Sequence, residues 1–247
     1  MITRPFSITY QHHTEPGMLE VKVAFKEALP SDSKHLNALL FPMEAFCKVG
    51  FLGGFSGDTI SPMKSTMELE DARLVGTNEY RWLFKNVKAD PGILFVLVNV
   101  FHRMHIRYSM LDGIRIISNI VKNQEAPIQE IPLSYSPSPF EITYNAGSSE
   151  ILIEVEFEND QGESVLKEFE DAFDSWLAIA VSGGFADEDH LPGQTSIYPA
   201  DDPRSFPDGI MFPLDDVYIA DQAYDCLENI FYKLHFKVAR IASLLIY

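Results

Sequence analysis

The sequence contains one pattern of residues twice, and this internal repeat constrains the fold more than any other feature. The segment Pro5–Tyr10 (PFSITY) recurs as Pro139–Tyr144 (PFEITY), and Leu19–Phe25 (LEVKVAF) recurs as Ile151–Phe157 (ILIEVEF). From Gly53 onwards, a constant offset of 130 residues aligns the chain with its C-terminal part without a gap. We therefore interpret the chain as two divergent copies of one unit.

Identical pairs support this alignment. Residues 53 to 117 and 183 to 247 share 11 identities in 65 pairs, where average composition predicts roughly 4. The identical residues of the first half are Gly53, Gly54, Phe55, Pro62, Asp71, Val87, Leu97, Asn99, Phe101, His105 and Ile116.

The first part of each copy has the periodicity of two strands and a helix. Phe6–Tyr10 and Leu19–Phe25 alternate with period two, and Pro16-Gly17 predicts a turn that joins them in a hairpin. The segment from Ser31 to Leu52 predicts a helix that Ser31 or Ser33 caps, with Pro42 as an awkward internal residue. In the second copy the helix extends from about residue 164 to the glycines at 183 and 184.

The later part of each copy predicts two strands, a helix and a strand. Met67–Val75 and Glu79–Val87 form a strand pair around a Gly-Thr-Asn turn. Ile93–Phe101 alone resembles either a buried strand or a helix, but its counterpart after Asp221 is amphipathic at helical spacing, which favours two helices. A last strand is predicted near Gly113–Ser118 and again at the C-terminal end.

These elements predict an α+β fold. It consists of two divergent copies of a β-β-α-β-β-α-β unit, each a mostly antiparallel sheet with two helices on one face, and the copies are related by a pseudo-twofold axis. The first unit spans residues 1–118, a proline-rich linker spans 119–138, and the second unit spans 139–247. Such an arrangement predicts a groove between the units.

The negative charge belongs to the second unit. The whole chain carries a formal charge of −17. Residues 1–123 contain 14 basic and 12 acidic residues, and residues 124–247 contain 5 and 24, which gives +2 and −19. Because affinity for nucleic acid comes largely from basic residues, we expect no direct binding of nucleic acid.

Two acidic clusters account for much of this charge. Glu154, Glu156 and Glu158 are spaced at two along a predicted strand, so they share one side of it. The second cluster lies in a long loop predicted after Gly184, opposed only by Arg204. Its members are Asp187, Glu188, Asp189, Asp201, Asp202, Asp208, Asp215 and Asp216.

The acidic residues have two interpretations. They can form a solvated face that maintains solubility, or they can dock a basic protein, as in an immunity or inhibitor protein or a nucleic-acid mimic. The partner-binding candidates are Glu154, Glu156, Glu158, Asp187, Glu188, Asp189, Asp201 and Asp202. The sequence favours a non-catalytic binding protein; the alternatives are a small-molecule or metal enzyme with its site in the inter-unit groove, and a structural homo-oligomer.

Chemical motifs are few. His105 and His235 are the histidines that both copies share, and they are candidates for a pocket or for a structural contact at a helix end. We find no nucleophile elbow, phosphate loop or calcium-loop spacing, and we predict no catalytic residue, metal or cofactor. Two isolated cysteines, no secretory signal and no membrane-length apolar run predict a cytoplasmic protein.

Overall fold

The computed structural model describes residues 3–28, 34–57, 60–121, 137–145, 150–187 and 189–247. It contains two mixed β-sheets and four α-helices, so the predicted α+β class is confirmed. None of the helices in these ranges is long and apolar enough to cross a lipid bilayer.

The first unit has five strands and two helices. The strands are β1 (Ser7–His12), β2 (Leu19–Phe25), β3 (Glu68–Val75), β4 (Glu79–Lys85) and β5 (Leu111–Ser118), and the helices are α1 (Lys34–Phe51) and α2 (Ile93–Tyr108). The segment beginning at Ile93 is therefore a helix, as its counterpart predicts. Its sequence resembles that of a buried strand because twelve of its residues are buried, so the segment lacks the polar stripe of an amphipathic helix.

The second unit repeats these elements and adds one short strand. The strands are β6 (Glu141–Tyr144), β7 (Ile151–Phe157), β8 (Ser196–Pro199), β9 (Arg204–Phe206), β10 (Gly209–Tyr218) and β11 (Ile241–Ile246), and the helices are α3 (Glu163–Val181) and α4 (Gln222–Lys237). The long acidic loop predicted after Gly184 is wrong in part, because it contains β8, β9 and β10. Strand β8 has one fully buried apolar residue, Ile197, which is too little alternation to recognise.

The two sheets have the same strand order. The orders are β1-β5-β2-β4-β3 and β6-β11-β7-β10-β8, so corresponding strands occupy corresponding places. In each sheet the first pair is parallel and the other pairs along this order are antiparallel. Both sheets are thus mostly antiparallel, as predicted; that the likeness arose by duplication stays a prediction of the sequence.

The predicted hairpin of the first two strands is wrong. Strand β1 pairs in parallel with β5, and β5 lies between β1 and β2. The cause is burial: β5 has fully or nearly fully buried residues such as Ile114 and Ile116, whereas β1 is exposed or half-buried along its length. The more apolar strand takes the inner place and the polar strand takes the edge.

Helix ends follow the glycines. Helix α1 begins at Lys34, so the predicted capping serines lie outside the described residues, and it continues through Pro42. Gly53 and Gly183 adopt left-handed backbone with φ of +86° and +76°, just after α1 and α3 end. This conformation terminates helices and is accessible to glycine without strain, as predicted for the Gly-Gly pairs.

The units meet at a seam, where their helices share one contiguous apolar core. The side-chain amides of two corresponding asparagines cross the seam reciprocally. Asn99 Nδ2 donates to the oxygens of Gly184 (3.0 Å) and Ala186 (2.8 Å), and Asn229 Nδ2 donates to those of Gly54 (3.3 Å) and Ser56 (3.0 Å). Such an exchange is typical of a twofold contact.

Close approach at the seam also requires glycine. A Cβ atom added to Gly54 would lie 2.8 Å from Cys226 Sγ, and one added to Gly184 would lie 3.1 Å from a methyl group of Val96. Cys226 and Val96 are corresponding residues on α4 and α2, each in the other unit. The glycine that follows each helix end therefore lets a helix of the opposite unit pack against it.

Candidate functional site

Strand β7 and the residue that follows it carry a row of three glutamates, Glu154, Glu156 and Glu158, which we call the acidic row. Its alternate residues face α3: the ring of Phe157 lies 4.9 Å from that of Phe169. Glu154 is half-buried and the other two glutamates are exposed. Alternation along β7 places Glu154 and Glu156 on the side of the sheet away from the helix. Because β7 lies between β10 and β11, the acidic row runs along the middle of an open sheet face and not along an edge.

The acidic row accepts hydrogen bonds from β11 and its C-terminal end. The Tyr247 hydroxyl donates to Glu154 Oε2 over 2.5 Å, and the Ser243 hydroxyl donates to Glu156 Oε2. The ion pairs found among the described residues of the second unit are those of Lys167, His190 and Arg204, so none includes the acidic row. In the described part of the chain, therefore, no lysine or arginine forms an ion pair with these three carboxylates.

Glu141 extends this face and was missed in the sequence. It lies on β6 directly across from Ser243, which in turn lies across from Glu156. Glu141 is exposed. The PFSITY/PFEITY repeat gave a signal, because its one difference places a glutamate where the first copy has Ser7.

The same place in the first sheet is basic. Lys22 on β2 corresponds to Glu154, and its cross-strand neighbours are Arg115 on β5 and Arg81 on β4. Glu20 Oε1 lies 3.3 Å from Lys22 Nζ and 3.6 Å from Arg81 Nε, so this face pairs its charges internally. In the second sheet the neighbours of Glu154 are Leu245 and Met211.

The carboxylate of Asp187 is used in a turn. Its Oδ1 accepts hydrogen bonds from the backbone N–H groups of Asp189 (3.0 Å) and His190 (2.6 Å), and it lies 3.0 Å from His190 Nδ1. Asp189 is exposed, and Glu188 lies outside the described residues. Asp187 thus organises the loop, which leaves Asp189 facing solvent.

Asp201 and Asp202 lie in the turn between β8 and β9. Asp201 Oδ2 accepts a hydrogen bond of 2.9 Å from Arg204, and this contact lowers the pKa of the Asp201 carboxyl. Both aspartates are exposed. One of the two charges is therefore balanced by a neighbouring arginine.

The Asp187 loop does not share a surface with the acidic row. Glu156 lies across from Gly209, the first residue of β10, whereas the backbone oxygen of Asp189 accepts a hydrogen bond from Tyr218, the last. A strand of ten residues spans roughly 30 Å at 3.3 Å per residue. The acidic row and the Asp187 loop therefore lie at opposite ends of β10.

His105 and His235 lie in the last turns of α2 and α4 and are buried. Burial is the largest cause that lowers the pKa of both imidazoles. His235 Nδ1 accepts a hydrogen bond of 3.1 Å from the backbone N–H of Ile241, which ties the end of α4 to β11. Neither histidine lines the two cavities described for this chain.

His102 is also held in a structural contact. Its Nδ1 lies 2.7 Å from an Arg4 guanidinium nitrogen, and burial together with Arg4 lowers the pKa of His102 to about 4. Among the described residues, no three histidines, cysteines or carboxylates are grouped so that they could hold a metal ion.

A cavity of about 540 Å³, the seam cavity, opens between the units. It lies between α1, the C-terminal half of α2, the end of α3 and the start of β8. Its residues are Ala38, Leu39, Phe41, Pro42, Val100, Arg103, Met104, Ile106, Arg107, Tyr108, Ala178, Val181, Ser182, Thr195, Ser196, Ile197 and Tyr198. The repeat predicts a groove here, but the lining depends on how the two units dock.

No protein-family model matches the sequence, and no curated protein matches it significantly. Solved structures give weak likenesses. A chain of complex III2 from Candida albicans has a TM-score of 0.23 at 8% identity and covers 96% of this chain and 84% of its own. A protease from Helicobacter pylori (0.23, 9%, 95% and 78%) and chlorite dismutase from Candidatus Nitrospira defluvii (0.20, 12%, 92% and 88%) are similar at this level. A TM-score below 0.5 does not define a common fold, so these likenesses carry no functional information.

Proposed function

We propose that the protein is a non-catalytic binding protein that docks a basic protein partner on the open face of its second sheet. The observation that carries this proposal is the acidic row, whose carboxylates form no ion pair with a lysine or arginine among the described residues. A sheet of this strand order does not need the acidic row, because the first sheet has Lys22, paired with Glu20, at the place of Glu154.

The geometry suits a broad and flat contact. The carboxylates project from neighbouring positions of a rigid sheet, and Leu152, Met211 and Pro213 form half-buried apolar surface beside them. Fixed charges on a sheet accelerate the encounter with a partner of opposite charge, and apolar surface between them adds affinity once water is excluded. A toxin or a nucleic-acid enzyme with a basic binding face has the matching chemistry.

The remaining predicted acidic residues have smaller roles in this proposal. Asp187 and Asp201 already contact His190 and Arg204, and the Asp187 loop lies about a strand length from the acidic row. We therefore assign the contact to Glu154, Glu156, Glu158 and Glu141, and we expect Asp189 and Asp202 to contribute to long-range attraction alone.

Two variants with the same net charge test this assignment. The first replaces Glu154, Glu156 and Glu158 with glutamine; the second replaces Glu163, Glu168 and Asp174, which are exposed on α3, with glutamine or asparagine. Each changes the charge from −17 to −14. The measurement is capture of proteins from a lysate of the source cell on immobilised wild type and variants, at low and high salt.

A basic protein retained by the wild type and the α3 variant, but lost with the acidic-row variant, supports the proposal. Its binding should also weaken steeply as salt increases. Equal loss with both variants indicates unspecific attraction to net charge, and equal retention with both places the interface elsewhere; either result rejects the acidic row as the interface.

A further inference from the structure

The seam cavity differs in charge from the rest of this acidic chain. Its lining includes Arg103 and Arg107, one helical turn apart on α2, and among the described residues no aspartate or glutamate lines it. Its volume of about 540 Å³ is within the range of small-molecule sites, roughly 300–1,000 Å³. The cavity thus combines a positive end with room for a ligand.

The mouth of the cavity is apolar. Five large apolar side chains that line it are unusually exposed, which is typical of a binding surface. They are Phe41, Ile106, Tyr108, Val181 and Tyr198, with exposed fractions of 62%, 49%, 36%, 43% and 52%.

The pseudo-equivalent end of the seam is arranged differently. There Lys233, which corresponds to Arg103, donates to the backbone oxygens of Phe51 and Ser65, and its ammonium lies 4.4 Å from the centre of the Phe51 ring. Phe51 corresponds to Val181, so the seam cavity has a smaller side chain where the other end has an aromatic ring that contacts the cation.

The arginines retain capacity for an anion. Arg103 uses one N–H group for the backbone oxygen of Pro192 (2.8 Å), and a guanidinium has five. Arg107 is exposed, with its guanidinium carbon 5.8 Å from the centre of the Tyr108 ring. A carboxylate between the two arginines would receive charge-assisted hydrogen bonds from both.

A neighbouring groove between α1 and α3 shows the contrast. It shares Phe41, Ala178 and Val181 with the seam cavity, but it is lined by Glu44, Asp171 and Asp174 with a single Lys48. An anionic group is repelled there and attracted by the arginines of the seam cavity. This contrast indicates that the anionic group of a ligand binds at the arginines of the seam cavity.

We propose that the seam cavity binds a small amphipathic carboxylate of fatty-acid type, with its carboxylate at Arg103 and Arg107 and its apolar chain along Val181 and Phe41. This site is independent of the acidic row, which lies on the open face of the second sheet.

Three eight-carbon probes test the proposal: octanoate, octan-1-ol and octylammonium, each titrated calorimetrically into the full chain. We expect octanoate to bind about tenfold or more tightly than either of the others, since a charged hydrogen-bonded pair stabilises it alone. Arg107→Gln should weaken octanoate about fivefold or more while leaving octanol unchanged. Arg115→Gln, at an exposed arginine of the first sheet, is the matched control and should have no effect.

Val181→Phe should abolish binding of octanoate, because it places an aromatic ring where the apolar chain of the ligand would lie. If this variant fails to fold, Ile106→Glu replaces it as the test. This substitution places a carboxylate at the exposed mouth and should abolish binding of octanoate. Equal binding of the three probes, no binding of octanoate, or equal loss with Arg107→Gln and Arg115→Gln would each overturn the proposal.

Discussion

At the seam the two units contribute matching contacts, whereas on their open sheet faces they carry opposite charges. The seam exchanges the same amide-to-carbonyl contacts in both directions, through Asn99 and Asn229. The open faces place Lys22 and Glu154 at equivalent positions in sheets of the same order. The two units therefore agree where they contact each other and differ in charge on their open faces.

The reciprocal amides and the helix-end glycines give the two largest expected effects, and the amides test the seam directly. Asn99→Ala and Asn229→Ala each leave two buried carbonyls without their donor, so we expect each to lower the free energy of unfolding by about 2–3 kcal/mol. Urea unfolding, followed by fluorescence of the buried Trp82 and Trp176, measures the loss in both units. Asn159→Ala, on an exposed residue, should change stability by less than about 0.5 kcal/mol. Losses that differ by more than about 2 kcal/mol between the two variants would disprove the reciprocity.

Glycine at the helix ends gives the next effect. A Cβ atom on Gly53 would lie 2.7 Å from the Cα of Pro62, whereas one on Gly183 would meet its nearest atom at 3.1 Å. Gly76 has a similar φ of +74° and nothing within 4 Å, so Gly76→Ala measures the backbone cost alone. We expect losses of about 3, 2 and 1 kcal/mol for alanine at 53, 183 and 76, measured by urea unfolding. Equal losses at 53 and 76 would contradict a packing role.

Much of this architecture could be predicted because its signals are local. Alternation gives β2 and β7, helical spacing gives α3, and the Gly-Gly pairs mark helix ends. Reading Ile93–Phe101 together with its counterpart resolves an ambiguity that one copy alone leaves open, since the second helix keeps the polar stripe that the first has lost.

The remaining features depend on which distant segments come together. Strand β5 lies between β1 and β2 because it is the more apolar strand, although it is about a hundred residues away from β1 in the sequence. The periodicity of a single segment does not predict such a strand order. The Asn99 amide group donates to backbone oxygens of the other unit, and the identity of Asn99 with Asn229 in the sequence does not indicate which atoms they contact. The acidic row and the Asp187 loop are close in sequence, yet they lie at opposite ends of β10.

The cations at the seam offer a test that depends on pH. Burial lowers the pKa of Lys233 from 10.5 to about 8. The corresponding residue of the first unit is Arg103. Between these pH values the unfolded chain binds the proton and the folded chain does not, so the contribution of Lys233 to the free energy of unfolding rises with pH.

Lys233→Met should remove this dependence. We expect the difference in unfolding free energy between wild type and Lys233→Met to increase by about 1–2 kcal/mol from pH 8 to pH 10. The difference between wild type and Arg103→Met should stay constant over the same range, which makes it the matched control. A constant difference for both variants would show that the two cations are equivalent.

The smallest expected effect concerns the open faces of the two sheets. There the sign of the change in the free energy of unfolding distinguishes the two faces. Glutamine at 154, 156 and 158 relieves repulsion between like charges at two-residue spacing, so we expect the free energy of unfolding to rise by about 0.5 kcal/mol at low salt. Lys22→Gln removes the contact of Lys22 with Glu20 and should lower it by a similar amount, about 0.5 kcal/mol or less. Urea unfolding in 20 mM and then about 500 mM salt should show both changes shrink, since salt screens exposed charges. If the variant without the acidic row is more stable than the wild type, the three glutamates do not contribute to folding. If it is less stable, the three glutamates stabilise the fold.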